Sequence, residues 1–270
     1  MIEEIKLPWL VSIIGRTVNA VLGKIGYRIV DIPKTPPVVN TKPLYHRYDQ
    51  DSLSTIHNHE FMNEPKFIAA YQRGTKSHGE EANIHWRVHV ALWVAVNCNR
   101  LEGDFVECGV NKGMLSSCIM QYLDWNSLKK HFFFFDTFNG IDPRYLNEKE
   151  KEQGRMEFSA KYYSDCFEQV KENFKEFDRT HLIKGSVPDT LETVEIGRIC
   201  YLSIDMNCAA PEIAAAEYFW PKMVSGAMAL LDDYAYVGFD EQKKAFDEFA
   251  IRKGIQILSL PTGQGLLIKP

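Results

Sequence analysis

The sequence has no C-x-x-C pair among its six cysteines. That excludes the common zinc and dithiol motifs. Cys98, Cys108, Cys118, Cys166, Cys200 and Cys208 sit mostly in apolar stretches, and we expect buried free thiols in a reducing cytoplasm. There is no excess of positive charge: the net charge is -5, so the electrostatic footprint of a nucleic-acid binder is missing. No apolar run is long enough to span a bilayer. The G-x-G-x-x-G fingerprint of dinucleotide folds and the Gly-Lys-Ser/Thr of a phosphate-cradling loop are both absent.

What is present is an ordinary globular mixture, 45% hydrophobic and 25% charged over 270 residues. The opening "MIEEIKLPWLVSIIGRTVNAVLG" carries Glu3 and Glu4 against Lys6 and reads as an amphipathic helix rather than a signal peptide. The proline-rich "DIPKTPPVVNTKP" reads as an extended connector. Two stretches with helical periodicity follow, "NEPKFIAAYQRG" and "EEANIHWRVHVALWVAVNCNR". Residues 1–95 are therefore expected to form a helical cap or oligomerisation region ahead of a second domain, 96–270.

From Gly103 onward short apolar runs alternate with amphipathic ones. "DFVECGV", "HFFFFDTF", "THLIKGS", "ICYLSIDMN" and "AMALLDDY" read as strands, with helices between them. "IQILSLP" and "GQGLLIKP" close the chain as an antiparallel pair. This alternation predicts an α/β fold with a doubly wound, mostly parallel, Rossmann-like sheet. "LNEKEKEQGR" reads as a charged loop at the edge of a lid.

Ligands of such sheets sit beyond the carboxyl ends of the strands. Those ends carry Glu107, Gly109 and Gly113, then Asp136, then Ser186, then Asp205, then Asp232 and Asp233. The "VECGVNKG" turn suits close approach of backbone to a ligand, with Glu107 facing the amino end of a bound methionine moiety. Asp136 stands where acidic residues of nucleotide folds accept ribose hydroxyls, although a helix N-cap would explain it too. Asp205, Asp232 and Asp233 come from strands expected to be neighbours. Three carboxylates together repel unless a cation is present, and hard oxygen ligands suit Mg²⁺. His85 and His89 are spaced i, i+4 without the glutamate of a zinc-protease motif, and packing histidines are the expectation. Trp86, Tyr145 and Tyr234 are candidate acceptor-pocket aromatics.

Taken together, "GDFVECGVNKG", "FFFFDTFNGI", "LIKGSVPDTL", "YLSIDMNCAAPEIAAAEYFWPKMVSGAMALLDDY" and "KKAFDEF" resemble the macrocin O-methyltransferase family, across about residues 60–270. The resemblance implies S-adenosylmethionine and Mg²⁺ as cofactors and a hydroxyl of a sugar or other polyol as acceptor. It implies cofactor contacts at Glu107, Gly109, Gly113, Asp136 and Ser186, and metal ligation by Asp205, Asp232 and Asp233. It also implies a homo-oligomer. The metal strand departs from the family pattern: Asn207 replaces the acid that serves there as general base, Ala209 a tyrosine and Glu212 a threonine. Asp205 and Asn207 are the candidate catalytic positions, and an amide takes up no proton at neutral pH. A cofactor-binding protein that has lost methyl transfer, a nicotinamide-dependent oxidoreductase and an interaction module are the rival readings.

Overall fold

Residues 47–270 are described in the structure, a computed structural model. The amphipathic first helix and the proline-rich connector lie outside the described residues. A short hairpin comes first, β1 (Tyr48–Gln50) paired with β2 (Leu53–Thr55) through a turn in which Asp51 and Ser52 both have left-handed φ. That geometry matches the twist of a tight hairpin. Helices α1 (Pro65–His78) and α2 (His85–Cys98) follow. The chain then alternates: β3 (Asp104–Cys108), α3 (Met114–Leu123), β4 (Phe132–Asp136), α4 (Glu148–Glu152), α5 (Arg155–Tyr162), α6 (Phe167–Phe174) and β5 (Thr180–Lys184). It continues through β6 (Ile199–Ile204), α7 (Ala209–Phe219), β7 (Met223–Leu231), α8 (Asp240–Lys253), β8 (Leu258–Ser259) and β9 (Gly265–Ile268).

The main sheet has seven strands in the order β5-β4-β3-β6-β7-β9-β8. Strands β3 to β7 are mutually parallel, and β9 is antiparallel to both β7 and β8; the β8–β9 pairing is the antiparallel close that the sequence predicts. The chain steps outward from β3 to β5, then returns to β6 on the other side of β3. The crevice at that reversal is where an open α/β sheet holds a ligand.

Strand β4 explains why four successive phenylalanines are tolerated. Phe132 and Phe134 point into one core with Phe105 and Tyr201, while Phe133 and Phe135 point into the other with Leu202 and Phe219. Both faces of the strand are covered by helices, so alternation puts every ring in a core. Each such ring contributes roughly 1.5–3 kcal/mol of burial. Helix α2 packs on the first of these cores through Val88, Ala91, Leu92 and Ala95. The expected boundary between residues 95 and 96 falls inside that helix, and the described residues 47–270 belong to one compact unit.

The stretch "LNEKEKEQGR" is helical rather than a loop. Asn147 and Glu150 form a reciprocal capping box at the start of α4. Glu150 is fully buried, and its Oε1 accepts from Ala209 N at 2.8 Å, capping α7. Charge content hid this role, because a run of lysine and glutamate looks solvated until one glutamate is seen to reach the next helix. All six cysteines are buried and unpaired.

Candidate functional site

Strand register assembles the site. Cys108 pairs with Ile204, and Ile204 with Leu231. The residues that follow them, Gly109, Asp205 and Asp232, therefore leave the sheet at one level. Asp205 N donates to Cys108 O at 2.8 Å and Asp232 N to Ile204 O at 3.0 Å, which carries the ladder one step past the strands. A cavity of about 260 Å³ opens there, lined by Glu107, Gly109, Asp136, Ser186, Asp205 and Asp232 among others. No described helix is long and apolar enough to cross a membrane.

Glu107 is the last residue but one of β3, and its side chain is buried. Its Oε2 accepts from Ser116 Oγ at 2.7 Å, and its Oε1 has no hydrogen-bond partner among the described residues. Burial pushes its pKa up to about 8, and the nearby Asp136 and Asp232 add to the effect. Burial likewise pushes Glu212 up to about 8, with Asp205 adding to it.

These shifts set a pH dependence. In the unfolded chain both glutamates ionise near 4.5, whereas in the fold they keep their protons to about 8. The native state then binds more protons than the unfolded one, so stability falls as pH rises across that window. The expected slope is about 1.4 kcal/mol per pH unit for each group. Glu107→Gln should make the fall shallower when melting is followed between pH 5 and pH 8.5. An unchanged slope would mean that Glu107 is ionised throughout.

Asp136 organises two turns. Its Oδ2 accepts from the amides of Val110 and Asn111, and its Oδ1 from Phe138 N at 2.6 Å. It caps no helix; it ties the β3–α3 turn to the segment after β4. Asn111 sits at φ 48, a left-handed conformation that asparagine tolerates. Gly109 has φ 90, and a Cβ there would meet Asp205 O at 1.7 Å. Gly113, grouped with the cofactor residues by sequence, is not part of the cavity wall. Its φ of 78 and a Phe174 ring 2.5 Å from where a Cβ would stand account for it as the start of α3. Ser186 Oγ donates to Asp142 Oδ2 at 2.5 Å on the cavity's other side.

Asp205, Asp232 and Asp233 converge, each offering an oxygen within 4.8 Å of the others. Their surroundings differ. Asp205 Oδ1 accepts from Asn207 Nδ2 at 3.0 Å, and Asn207 adopts φ 57. Asp232 Oδ1 accepts from Gln264 Nε2 at 2.9 Å, and its Oδ2 from Arg87 Nη1 at 2.5 Å. Asp233 Oδ2 is buried with no partner among the described residues. Burial, then the neighbouring carboxylates, raise Asp205 and Asp233 well above the usual carboxylate range. Burial opposes the charge of Arg87, but Asp232, Asp51 and Asp233 outweigh it and hold the guanidinium protonated.

Arg87 is the residue that sequence reading passed over. It is the one Lys, Arg, Asp or Glu in helix α2, "HWRVHVALWVAVNC", and that isolation was the available signal. Of the candidate aromatics, Tyr145 lines the cavity, as does the unanticipated Tyr163. Trp86 instead packs edge-on against Phe61 and Tyr48, and the Tyr234 hydroxyl donates to Asp247 at 2.5 Å. His85 stacks on Tyr71 and His89 on Phe61, as expected of packing histidines.

Among solved structures, the O-methyltransferase NovP is similar at 20% identity, over 68% of this chain and 79% of its own, with a TM-score of 0.60. The calicheamicin methyltransferase CalS11 is similar at 16% identity, over 76% of this chain and 93% of its own, with a TM-score of 0.54. These likenesses show the fold. No curated protein sequence matches the chain. The profile of the macrocin-O-methyltransferase (TylF) family matches residues 87–258, from Arg87 through the last helix and past both strand ends that carry the three aspartates. With more than half its length matched, this chain belongs to the macrocin O-methyltransferase (TylF) family of O-methyltransferases.

Proposed function

We propose that the protein transfers a methyl group from S-adenosylmethionine to a hydroxyl of a sugar or other polyol small molecule, with Mg²⁺ held by Asp205, Asp232 and Asp233. The observation that carries this reading is the meeting of those three carboxylates, two of which, Asp205 and Asp232, line the cavity. Their chemistry fits a divalent ion: all are hard oxygen donors, and one buried oxygen of Asp233 has no other partner. The cofactor end fits as well, since the free Oε1 of Glu107 suits the ammonium of a methionine moiety. A homo-oligomer belongs to the same proposal.

When bound, the ion would supply Lewis acidity that lowers the pKa of an acceptor hydroxyl. The chain's own residues position and insulate. Glu107 anchors the cofactor's amino acid end. Asp136 fixes the turn beneath it and keeps one oxygen's remaining lone pair for a ribose hydroxyl. Methyl transfer is an in-line displacement, so holding the two reactants aligned supplies much of the rate. Asn207 donates to Asp205 and takes no proton. Among the cavity-lining residues, His78 has its pKa lowered by burial and then by Lys112, which favours the neutral imidazole.

Asn207 also supports a second reading, a protein that binds the cofactor without turning it over. Titration with S-adenosylhomocysteine and then Mg²⁺ tests the shared part of both, and absence of either binding would remove it. Turnover of S-adenosylmethionine by the unaltered protein separates them, and Asn207→Asp asks whether the missing acid limits the rate. Aspartate tolerates the left-handed φ, so the variant should fold. A supplied base is worth about 10²–10⁴ in rate. The expected gain in turnover over a panel of nucleotide-linked and free sugars is at least tenfold. No gain with any sugar would point to a different base.

A further inference from the structure

Arg87 reaches the candidate metal site from outside the sheet. Its Nε donates to Asp51 Oδ2 at 2.7 Å, its Nη2 to Asp51 Oδ1 at 3.0 Å, and its Nη1 to Asp232 Oδ2 at 2.5 Å. The Tyr236 ring lies against the guanidinium, 4.6 Å from its carbon, and the Tyr236 hydroxyl is 3.4 Å from Asp51 Oδ1. The Arg87 and Asp51 side chains are only 13% and 10% exposed, so water screens this pair weakly. The other oxygen of Asp232 is held independently: Thr262 Oγ1 donates to Gln264 Oε1 at 2.9 Å, which turns the Gln264 amide nitrogen toward Asp232.

We propose that Arg87 is a positioning residue that shares Asp232 with the divalent ion, and that Asp51 sets how much of its positive charge the ion feels. The inference rests on reading the three aspartates as the Mg²⁺ site. Two cations on one carboxylate repel, so Arg87 holds the trio together when no ion is bound and weakens the ion's grip when one is. Asp51 draws the guanidinium's charge away and adds a negative charge of its own. Gln264 keeps Asp232 oriented whether or not Arg87 is there. The β1–β2 turn is thereby coupled electrostatically to the floor of the site.

The two partners therefore have opposite effects. Titrating Mn²⁺ into the full chain, followed by the loss of its free electron-paramagnetic signal, reads them directly and needs no acceptor. Arg87→Met is expected to lower the Mn²⁺ dissociation constant at least tenfold. Asp51→Asn is expected to raise it at least threefold. Arg87→Lys, which keeps the charge, should stay within threefold of the unaltered protein. A strut with no electrostatic role would give weaker or unchanged binding in Arg87→Met with a cooperative melt retained, and that result overturns the proposal. If Arg87→Met does not melt cooperatively, Asp51→Asn decides, and unchanged or tighter binding there overturns it. Binding gained only on removing Arg87 supports the proposal, while absence of Mn²⁺ binding in every form sinks both the metal reading and this inference. Mn²⁺ binding in the unaltered protein with no response to either substitution sinks the inference alone.

Discussion

Asp233→Asn is expected to make the ion-free protein more stable and, at the same time, to remove most of its affinity for divalent ions. The two effects have one cause. Asp233 is 7% exposed, and its Oδ2 has no donor among the described residues. An unsatisfied buried polar atom costs about 1–3 kcal/mol, more if charged. Asp205 and Asp232 stand beside it, and their charges oppose its own. An amide of the same shape removes the repulsion and brings its own donor. We expect a gain of about 1–2 kcal/mol, which in a chain of this size raises the melting temperature by roughly 3–6 °C. Affinity for Mn²⁺ should fall about 100-fold, because ion affinity in such sites follows the charge of the ligands. Asp232→Asn makes the contrast. It also loses the ion, but its single acceptor oxygen cannot serve both Arg87 and Gln264, so it should melt lower rather than higher. The pair of melting curves with Mn²⁺ titrations checks this. If Asp233→Asn melts below the unaltered protein, Asp233 is satisfied in the ion-free fold and is not poised for a cation.

Gly109→Ala is expected to be the most damaging small substitution in the crevice. A Cβ at residue 109 would stand 1.7 Å from Asp205 O and 2.4 Å from Asp205 C, both backbone atoms that cannot rotate away. The left-handed φ of 90 adds strain for any side chain. Strain of about 1–2 kcal/mol and overpacking of about 1–3 kcal/mol act together. The expected loss is about 3–4 kcal/mol and a melting temperature lower by roughly 10 °C. Because the displaced atoms belong to Asp205, Mn²⁺ affinity should fall with stability even though residue 109 contacts no ion. Melting within 2 °C of the unaltered protein would show that the turn re-forms around the methyl group.

Much of this arrangement was legible in the sequence because it is local. Strand ends marked by glycine or acid, and helices between them, lead directly to the sheet and to the level at which Asp205 and Asp232 meet. The antiparallel close of the chain follows from two short apolar runs around Pro261 and Gly263. What escaped is long-range and depends on side-chain reach. Arg87 meets Asp232 across 145 positions, and nothing near either residue announces the pairing. Gln264 drew no notice within "GQGLLIKP" until the fold placed it beside Asp232. Glu150 was lost in a run of charges. The three aspartates were read as repelling unless a cation is present, and the cation visible in the fold is an arginine from a helix assigned to another region. Gly113 shows the converse: a motif position that a ring of the protein's own, Phe174, is enough to explain.

The placement of β9 has a consequence for how the molecule is made. Strand β7 is synthesised before β8 and β9, yet its outer edge is covered by β9, which emerges after both. A chain arrested after Leu231 would present the unpaired N–H and C=O edge of the apolar strand β7 without its cover, an invitation to pair with another nascent chain. The same arrest leaves Asp232 without Gln264. Completion of the sheet and anchoring of the aspartate are thus one late event, and truncated products of this gene should be recovered as aggregates rather than as weakly active enzyme.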